Sequence, residues 1–256
     1  MVDAQRLHRE WERLTAEWIA RMDSKSDAAR EGLLDDWMLK VIGEVAGLHV
    51  IDLGCGEGRF SRMLAARGAN PLGIDRQPVF IDSARSKASS KERYRVGDMQ
   101  HLDEQDERFD LAVSFLSLVD VPDQRAAIRE AFRVLTPGGR FVVCNLSPMA
   151  TAHKSVSSWH RDAQGTKLHY VLDDYASEGP RQLTFGPGQE LTNFHRMAST
   201  TINDFIDAGF VLSRLHEPLP TPEQLARVPS NDDLYRVPIF IVYDLLKPTE
   251  RRATQH

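Results

Sequence analysis

Apolar side chains recur along this chain with two alternating periods. Over residues 5–22, Leu7, Trp11, Leu14, Trp18 and Met22 follow one another at spacings of four, three, four and four, which draws one apolar stripe along an amphipathic helix. A second helical stretch runs over about 28–42, with Leu33, Leu34, Trp37, Met38 and Val41 apolar, and Gly47 breaks the pattern before a strand. Short apolar runs then alternate with helix-period segments: strand 49–53, helix 59–67, strand 71–74, helix 78–87, strands 94–96 and 109–115, helix 124–135, strand 140–145. Pro78 stands where a first helical turn accepts proline, and Thr136-Pro137-Gly138-Gly139 reads as a turn. Strands separated by helices argue for crossover units and a parallel sheet covered on both faces.

Residues 146–195 break this rhythm and read as irregular, rich in Ser, His, Tyr, Gly and Pro. A helix over 199–208 and strands over 210–215 and 238–246 follow. Between those strands, Pro218, Pro220, Pro222 and Pro229 mark a loop. The expected organisation is a helical cap over 1–46, a ligand-binding domain over 47–247 with a substrate-side insertion at about 146–198, and a tail over 248–256.

Composition narrows the function. A chain of 256 residues suits one sizeable α/β domain with modest additions. The net charge of −5 and the lack of a basic stripe argue against a nucleic-acid partner. The apolar run over 237–246 is interrupted by Pro238 and Asp244, and no run reaches the roughly 20 residues of a membrane span. The charged N-terminus lacks the apolar centre of a signal peptide. Cys55 and Cys144 form no CxxC pair, so neither a zinc site nor a disulfide framework is expected, and a reducing cytoplasmic setting is.

The chemistry concentrates in Val50-Ile51-Asp52-Leu53-Gly54-Cys55-Gly56-Glu57-Gly58, where an apolar strand runs into a tight turn that opens a helix. Glycine permits the turn and lets a ligand approach the backbone. Such a crevice at the carboxyl ends of parallel strands is the usual ligand site of this fold class. A dinucleotide fingerprint needs G-x-G-x-x-G, and here Arg59 holds the place of the third glycine. Asp52, two residues before the first glycine, would repel a pyrophosphate and suits an ammonium group.

The segment resembles the cofactor loop of class I S-adenosylmethionine-dependent methyltransferases, and the similarity continues over roughly residues 48–145, carried by Gly73-Ile74-Asp75, Gly97-Asp98-Met99, the strand ending Val113-Ser114-Phe115, and Leu135-Thr136-Pro137-Gly138-Gly139. The resemblance implies a Rossmann-like α/β fold: a mostly parallel seven-stranded sheet with one antiparallel strand, plus an N-terminal helical cap. It implies S-adenosyl-L-methionine as cofactor and S-adenosyl-L-homocysteine as product. The implied cofactor contacts are Asp52, Gly54, Cys55, Gly56 and Gly58 in the loop, Asp75 at the ribose, Arg76 beside it in sequence, Asp98 and Met99 at the adenine, Ser114 and Phe115, and Arg30 at the cofactor's carboxylate.

The acceptor is narrowed by exclusion. Enzymes that methylate amino groups of nucleic acids usually carry an Asp/Asn-Pro-Pro-aromatic loop where this chain reads Ser114-Phe115-Leu116-Ser117. A metal-dependent site would have to recruit Asp120 and Asn145, and no metal is expected. The expected reaction is methyl transfer to O, N or C of a small metabolite. Candidate bases are His153, His160, His169 and His195, because histidine titrates near neutrality, with Tyr170 as a further candidate. The pocket is expected from the N-terminal helices, the insertion and the loop over 217–236. Trp11 and Trp18 fit core packing, a lid over the cofactor or a homo-oligomer interface. Two rivals remain: a non-catalytic S-adenosylmethionine-binding scaffold, and an NAD-dependent oxidoreductase, against which the glycine spacing and Asp52 argue.

Overall fold

The computed structural model describes residues 4–24, 27–152, 159–186 and 189–249. Helix α1 (Ala4–Asp23) carries the expected stripe, with Leu7, Leu14 and Met22 buried. The second helical stretch is not uniform. A π-helical turn at Arg30–Leu34 leads into α2 (Asp35–Ile42), the kind of local widening often found at functional sites.

The alternating core then follows: β1 (His49–Leu53), α3 (Arg59–Ala66), β2 (Asn70–Asp75), α4 (Pro78–Ser86), β3 (Arg93–Val96), β4 (Phe109–Phe115), α5 (Gln124–Val134) and β5 (Leu135–Leu146). The expected Thr136–Gly139 turn loops out inside β5, whose pairing with β4 jumps from Leu135 to Arg140. After the short α6 (Pro148–Thr151), the insertion is more regular than its composition suggests. It forms two antiparallel hairpins, β6 (Trp159–Arg161) with β7 (Lys167–Tyr170) and β8 (Gly179–Gly186) with β9 (Gln189–His195). Asp162 closes the first by accepting the Gln164 and Thr166 N–H groups at 3.0 and 2.8 Å. Helix α7 (Ala198–Asp207) and β10 (Val211–His216) come next. The proline-rich loop contains α8 (Pro222–Arg227), because Thr221 and Gln224 form a reciprocal capping box around Pro222. Strand β11 (Phe240–Leu246) completes the sheet.

The sheet order is β10-β11-β5-β4-β1-β2-β3, with β11 antiparallel to both its neighbours and the remaining pairs parallel. This is the seven-stranded, one-antiparallel-strand architecture that the resemblance implies. Side chains alternate between faces. Ile51, Leu53, Phe109, Phe141 and Val143 pack on one side with Phe205 and Tyr243, and Val50, Leu111, Val113 and Val142 on the other with Leu33, Leu34 and Met38. The chain leaves β1 toward β2 and β3, then returns to β4 on the other flank of β1. The carboxyl ends of β1 and β4 therefore diverge around a crevice at the point where strand order reverses, which is where ligands bind in open α/β sheets.

Candidate active site

The crevice opens into a cavity that takes its walls from four strand ends and from α1. The loop after β1 contributes Gly54, Cys55, Gly56 and Glu57, the end of β2 Asp75, Arg76 and Gln77, and the segment after β3 Gly97 to Gln100. The turn after β4 contributes Leu116, Ser117 and Asp120 to Pro122. Leu7, His8, Trp11, Trp18 and Met22 of α1 line the facing side.

Local chemistry sets this geometry. Gly54 has φ +75 and its N–H bonds the Ile74 carbonyl at 2.8 Å, so the loop folds back on β2. Ser117 stands against Gly54, its hydroxyl bonding the Leu53 carbonyl at 2.5 Å and the Ser114 hydroxyl at 2.7 Å. Asp75 accepts the Gly56 and Gln77 N–H groups at 2.9 Å, one on each oxygen, which leaves a second lone pair on each. Leu116, at φ +56, turns the chain sharply after β4, with its N–H on the Cys144 carbonyl at 2.8 Å. A non-glycine residue in that region stores strain that often marks functional loops.

The cavity is acidic. Asp52, Glu57, Asp75, Asp98 and Asp120 line it against Arg30, Arg59 and Arg76. Arg30 is already paired with Asp27 at 2.8 Å and Arg59 with Asp35 at 2.6 Å. Asp52 is 1% exposed and accepts the Ser61 hydroxyl of α3 at 2.6 Å. Burial pushes its carboxyl up to about 6, with the Asp75 charge adding to the shift and Ser61 opposing it.

Comparison with known proteins supplies the deciding observation. The family model of the methyltransferase domain matches residues 44–181. An S-adenosylmethionine-dependent methyltransferase from Mesorhizobium loti is 31% identical and superimposes with a TM-score of 0.74 over 82% of this chain and 95% of that one. The chain belongs to the class I S-adenosylmethionine-dependent methyltransferases. A Listeria monocytogenes protein described as an S-adenosylmethionine-dependent methyltransferase superimposes at 0.76, with 26% identity over 85% of this chain and 97% of that one. A ubiquinone biosynthesis O-methyltransferase from Alkalilimnicola ehrlichii is 32% identical over 116 residues, 44% of this chain. The chain spans about half the length of that relative, 47%.

S-adenosylmethionine is the methyltransferase's cofactor, and the lining chemistry fits it. A sulfonium and an ammonium meet an excess of carboxylates, and a pyrophosphate would not. The Asp75 lone pairs can take both ribose hydroxyls. A Cβ on Gly56 would meet no protein atom within 4 Å, so the loop leaves open space at its tip.

Of the residues expected to hold the cofactor, Asp52, Gly54, Cys55, Gly56, Asp75, Arg76, Asp98, Met99, Phe115 and Arg30 line this cavity. Gly58 and Ser114 do not. Gly58 opens α3 at φ +82 with its carbonyl on the Tyr94 hydroxyl, and Ser114 is fully buried behind Ser117. The Cys55 thiol is pushed well up by burial and by the neighbouring carboxylates, so it is no thiolate at neutral pH.

The acceptor-side expectations fare differently. None of the described residues of the insertion or of 217–236 lines the cavity. His160 and His169 stack on each other across the exposed β6–β7 hairpin at 4.8 Å. Tyr170 packs edge-on against Trp159 and bonds the Ala150 carbonyl at 3.4 Å. His195 is fully buried between the Thr151 hydroxyl at 2.7 Å and the Tyr175 carbonyl at 2.9 Å, a setting that holds the fold together. His153 lies outside the described residues. Asn145 does not line the cavity, whereas Asp120 does. Among the lining residues the sequence reading did not name are His8, Gln77 and Gln100, whereas Leu7, Trp11, Trp18 and Met22 come from the N-terminal stripe for which a lid was one of three readings. The stripe on α1 was visible, but periodicity does not say what a stripe covers.

Helix α1 is tied to β9 by one buried carboxylate. Glu10, 4% exposed, accepts the Thr192 N–H at 2.9 Å and the Thr192 hydroxyl at 3.2 Å from β9. Glu10→Ala would strand those donors, which costs about 1–3 kcal/mol. The expected result is a lower melting temperature and faster cofactor release in stopped-flow measurements. An unchanged release rate would mean that α1 does not retain the ligand.

The raised Asp52 carboxyl has a pH consequence. Its folded value lies above the ~3.9 of an unfolded chain, so the native state holds the extra proton between those values. Stability of the free protein therefore falls as pH rises through that window. Ammonium binding favours the ionised carboxylate, so cofactor binding should release a proton below about pH 6. Affinity for S-adenosylmethionine is expected to drop by up to about tenfold per pH unit there. Flat affinity from about pH 5 to pH 7 would contradict the pairing of Asp52 with the ammonium.

Proposed function

We propose that this methyltransferase transfers the methyl group to O, N or C of a small-molecule metabolite. The carrying observation is the α1 wall: a helix with two tryptophans, a leucine and a methionine runs along the cavity that Asp52, the glycine loop and Asp75 also line. An apolar, aromatic wall with a few polar groups suits a partly apolar small ligand. A polyanion would have to approach an acidic cavity on a chain of net charge −5. The names of the quinone-biosynthesis relatives support the same substrate class.

S-adenosylmethionine supplies an electrophilic methyl group on a good leaving group. The protein's contribution can therefore rest on orientation. The glycine loop, Asp52 and Asp75 would hold the cofactor, and α1 would exclude water and press the acceptor toward the turn after β4.

The test offers methyl-labelled cofactor with three fractions in parallel: a deproteinised small-molecule extract, total RNA and total protein. Label is expected in compounds of the small-molecule fraction. Label precipitating with RNA or protein would overturn the reading.

A further inference from the structure

Asp120 lines the cavity but has no part in the cofactor assignments. It ends a single 3-10 turn, Leu118–Asp120, just past the strained Leu116. Its Oδ1 accepts a hydrogen bond from the Asn193 side chain of β9. Trp11 of α1 lines the same cavity, and its indole N–H, the ring's only polar group, favours the ionised carboxylate. Arg196 holds the adjoining backbone through the Val121 and Pro122 carbonyls, the latter at 3.1 Å. The stretch at the end of β9 thus fixes both this carboxylate, through Asn193, and the backbone beside it, through Arg196, at the cavity wall.

The charged groups that act on it are Arg30, which favours the anion, and Asp75, which opposes it. Burial dominates and pushes the carboxyl up to about 7. A fixed acid that keeps appreciable proton affinity at neutral pH is what general-base chemistry requires. A mere tie between β9 and the turn would be served as well by an uncharged amide. The same part of the cavity is aromatic: Trp11 and Trp18 meet edge to face at 5.4 Å, and the Arg30 guanidinium lies over the Trp18 and Phe115 rings at 5.0 and 5.7 Å.

We propose that Asp120 accepts the proton of an aromatic hydroxyl on the methyl acceptor, which binds beside it against Trp11, Trp18 and Phe115. The inference rests on the small-molecule reading above. In the step, an O–C bond forms to the methyl carbon while the C–S bond breaks and its electron pair stays on sulfur. The O–H bond breaks with its electron pair retained by oxygen, and the proton goes to Asp120, from which solvent removes it. Arg30 and the sulfonium both favour a developing oxyanion and both oppose an incoming ammonium, so a hydroxyl fits better than an amine.

The test loads wild type and Asp120→Asn with S-adenosylhomocysteine and titrates each with 4-nitrophenol and with its methyl ether, 4-nitroanisole. Ionised nitrophenol absorbs visible light and the neutral form does not. Wild type is expected to give a saturable phenolate band below the free compound's own midpoint. Asp120→Asn is expected to lose that band while binding the ether, which has no proton to give, as wild type does. An equal band in both proteins would overturn the proposal. So would equal loss of both ligands in the variant, which would mark Asp120 as a structural prop. Absence of nitrophenol binding by wild type that does bind S-adenosylhomocysteine would overturn the subsite while sparing the cofactor. Failure to bind S-adenosylhomocysteine at all would remove the reading beneath it, and the proposal with it.

Discussion

Gly54→Ala is expected to cripple both stability and cofactor binding. Gly54 sits at φ +75, and an added Cβ would lie 2.4 Å from the Ser117 Cβ, 2.8 Å from its hydroxyl and 3.0 Å from the Met99 methyl. The left-handed backbone costs about 1–2 kcal/mol for an alanine, and overpacking costs about 1–3 kcal/mol more. Ser117 cannot easily retreat, because its hydroxyl is held by Leu53 and Ser114. The strand-to-loop turn would have to open, and the melting temperature should fall by on the order of 5–15 °C. Affinity for S-adenosylmethionine should fall with it. Gly56→Ala is the informative comparison. Its φ of +56 carries a similar backbone cost, but no protein atom lies within 4 Å of the added methyl. It should lose less stability than Gly54→Ala in thermal melts. Equal losses would mean that the contact with Ser117 does not decide the loop's glycine.

Asp75→Asn should leave the fold nearly intact and cost the cofactor. Burial already raises this carboxyl's pKa, so removing the charge relieves the free protein. The amide retains one oxygen for the Gly56 or Gln77 N–H. It cannot accept from two ribose hydroxyls while serving both backbone donors. Each charge-assisted hydrogen bond lost is worth about 1.5–3 kcal/mol, so affinity should fall by about 10- to 100-fold or more. Calorimetry with S-adenosylhomocysteine reads this directly. Affinity within about twofold of wild type would detach Asp75 from the ribose.

Most of the sheet was legible because its strands are short apolar runs punctuated by glycine and proline. Strands β1 and β4 have the bounds expected of them, and the Gly54–Gly58 loop, Asp75 and Asp98 stand at successive strand ends as the spacing required. Composition misled where polar residues form local structure of their own. The β6–β7 hairpin depends on Asp162 capping a turn, and α8 on a Thr221–Gln224 box. The histidines drew attention as titratable groups, yet His195 is consumed by two hydrogen bonds and His160 stacks on His169. Asp120 was less conspicuous, because its proton affinity arises from burial that the folded chain creates, with the Asn193 amide 73 residues away opposing it. Such burial is tertiary and leaves no local signature.

The central claim is that the acidic cavity under α1 holds S-adenosylmethionine. Titration calorimetry of the purified protein with S-adenosylmethionine, S-adenosylhomocysteine and NAD tests it most directly. Saturable binding of both sulfur compounds with no heat from NAD is the predicted result. Binding of NAD, or of none of the three, would contradict it.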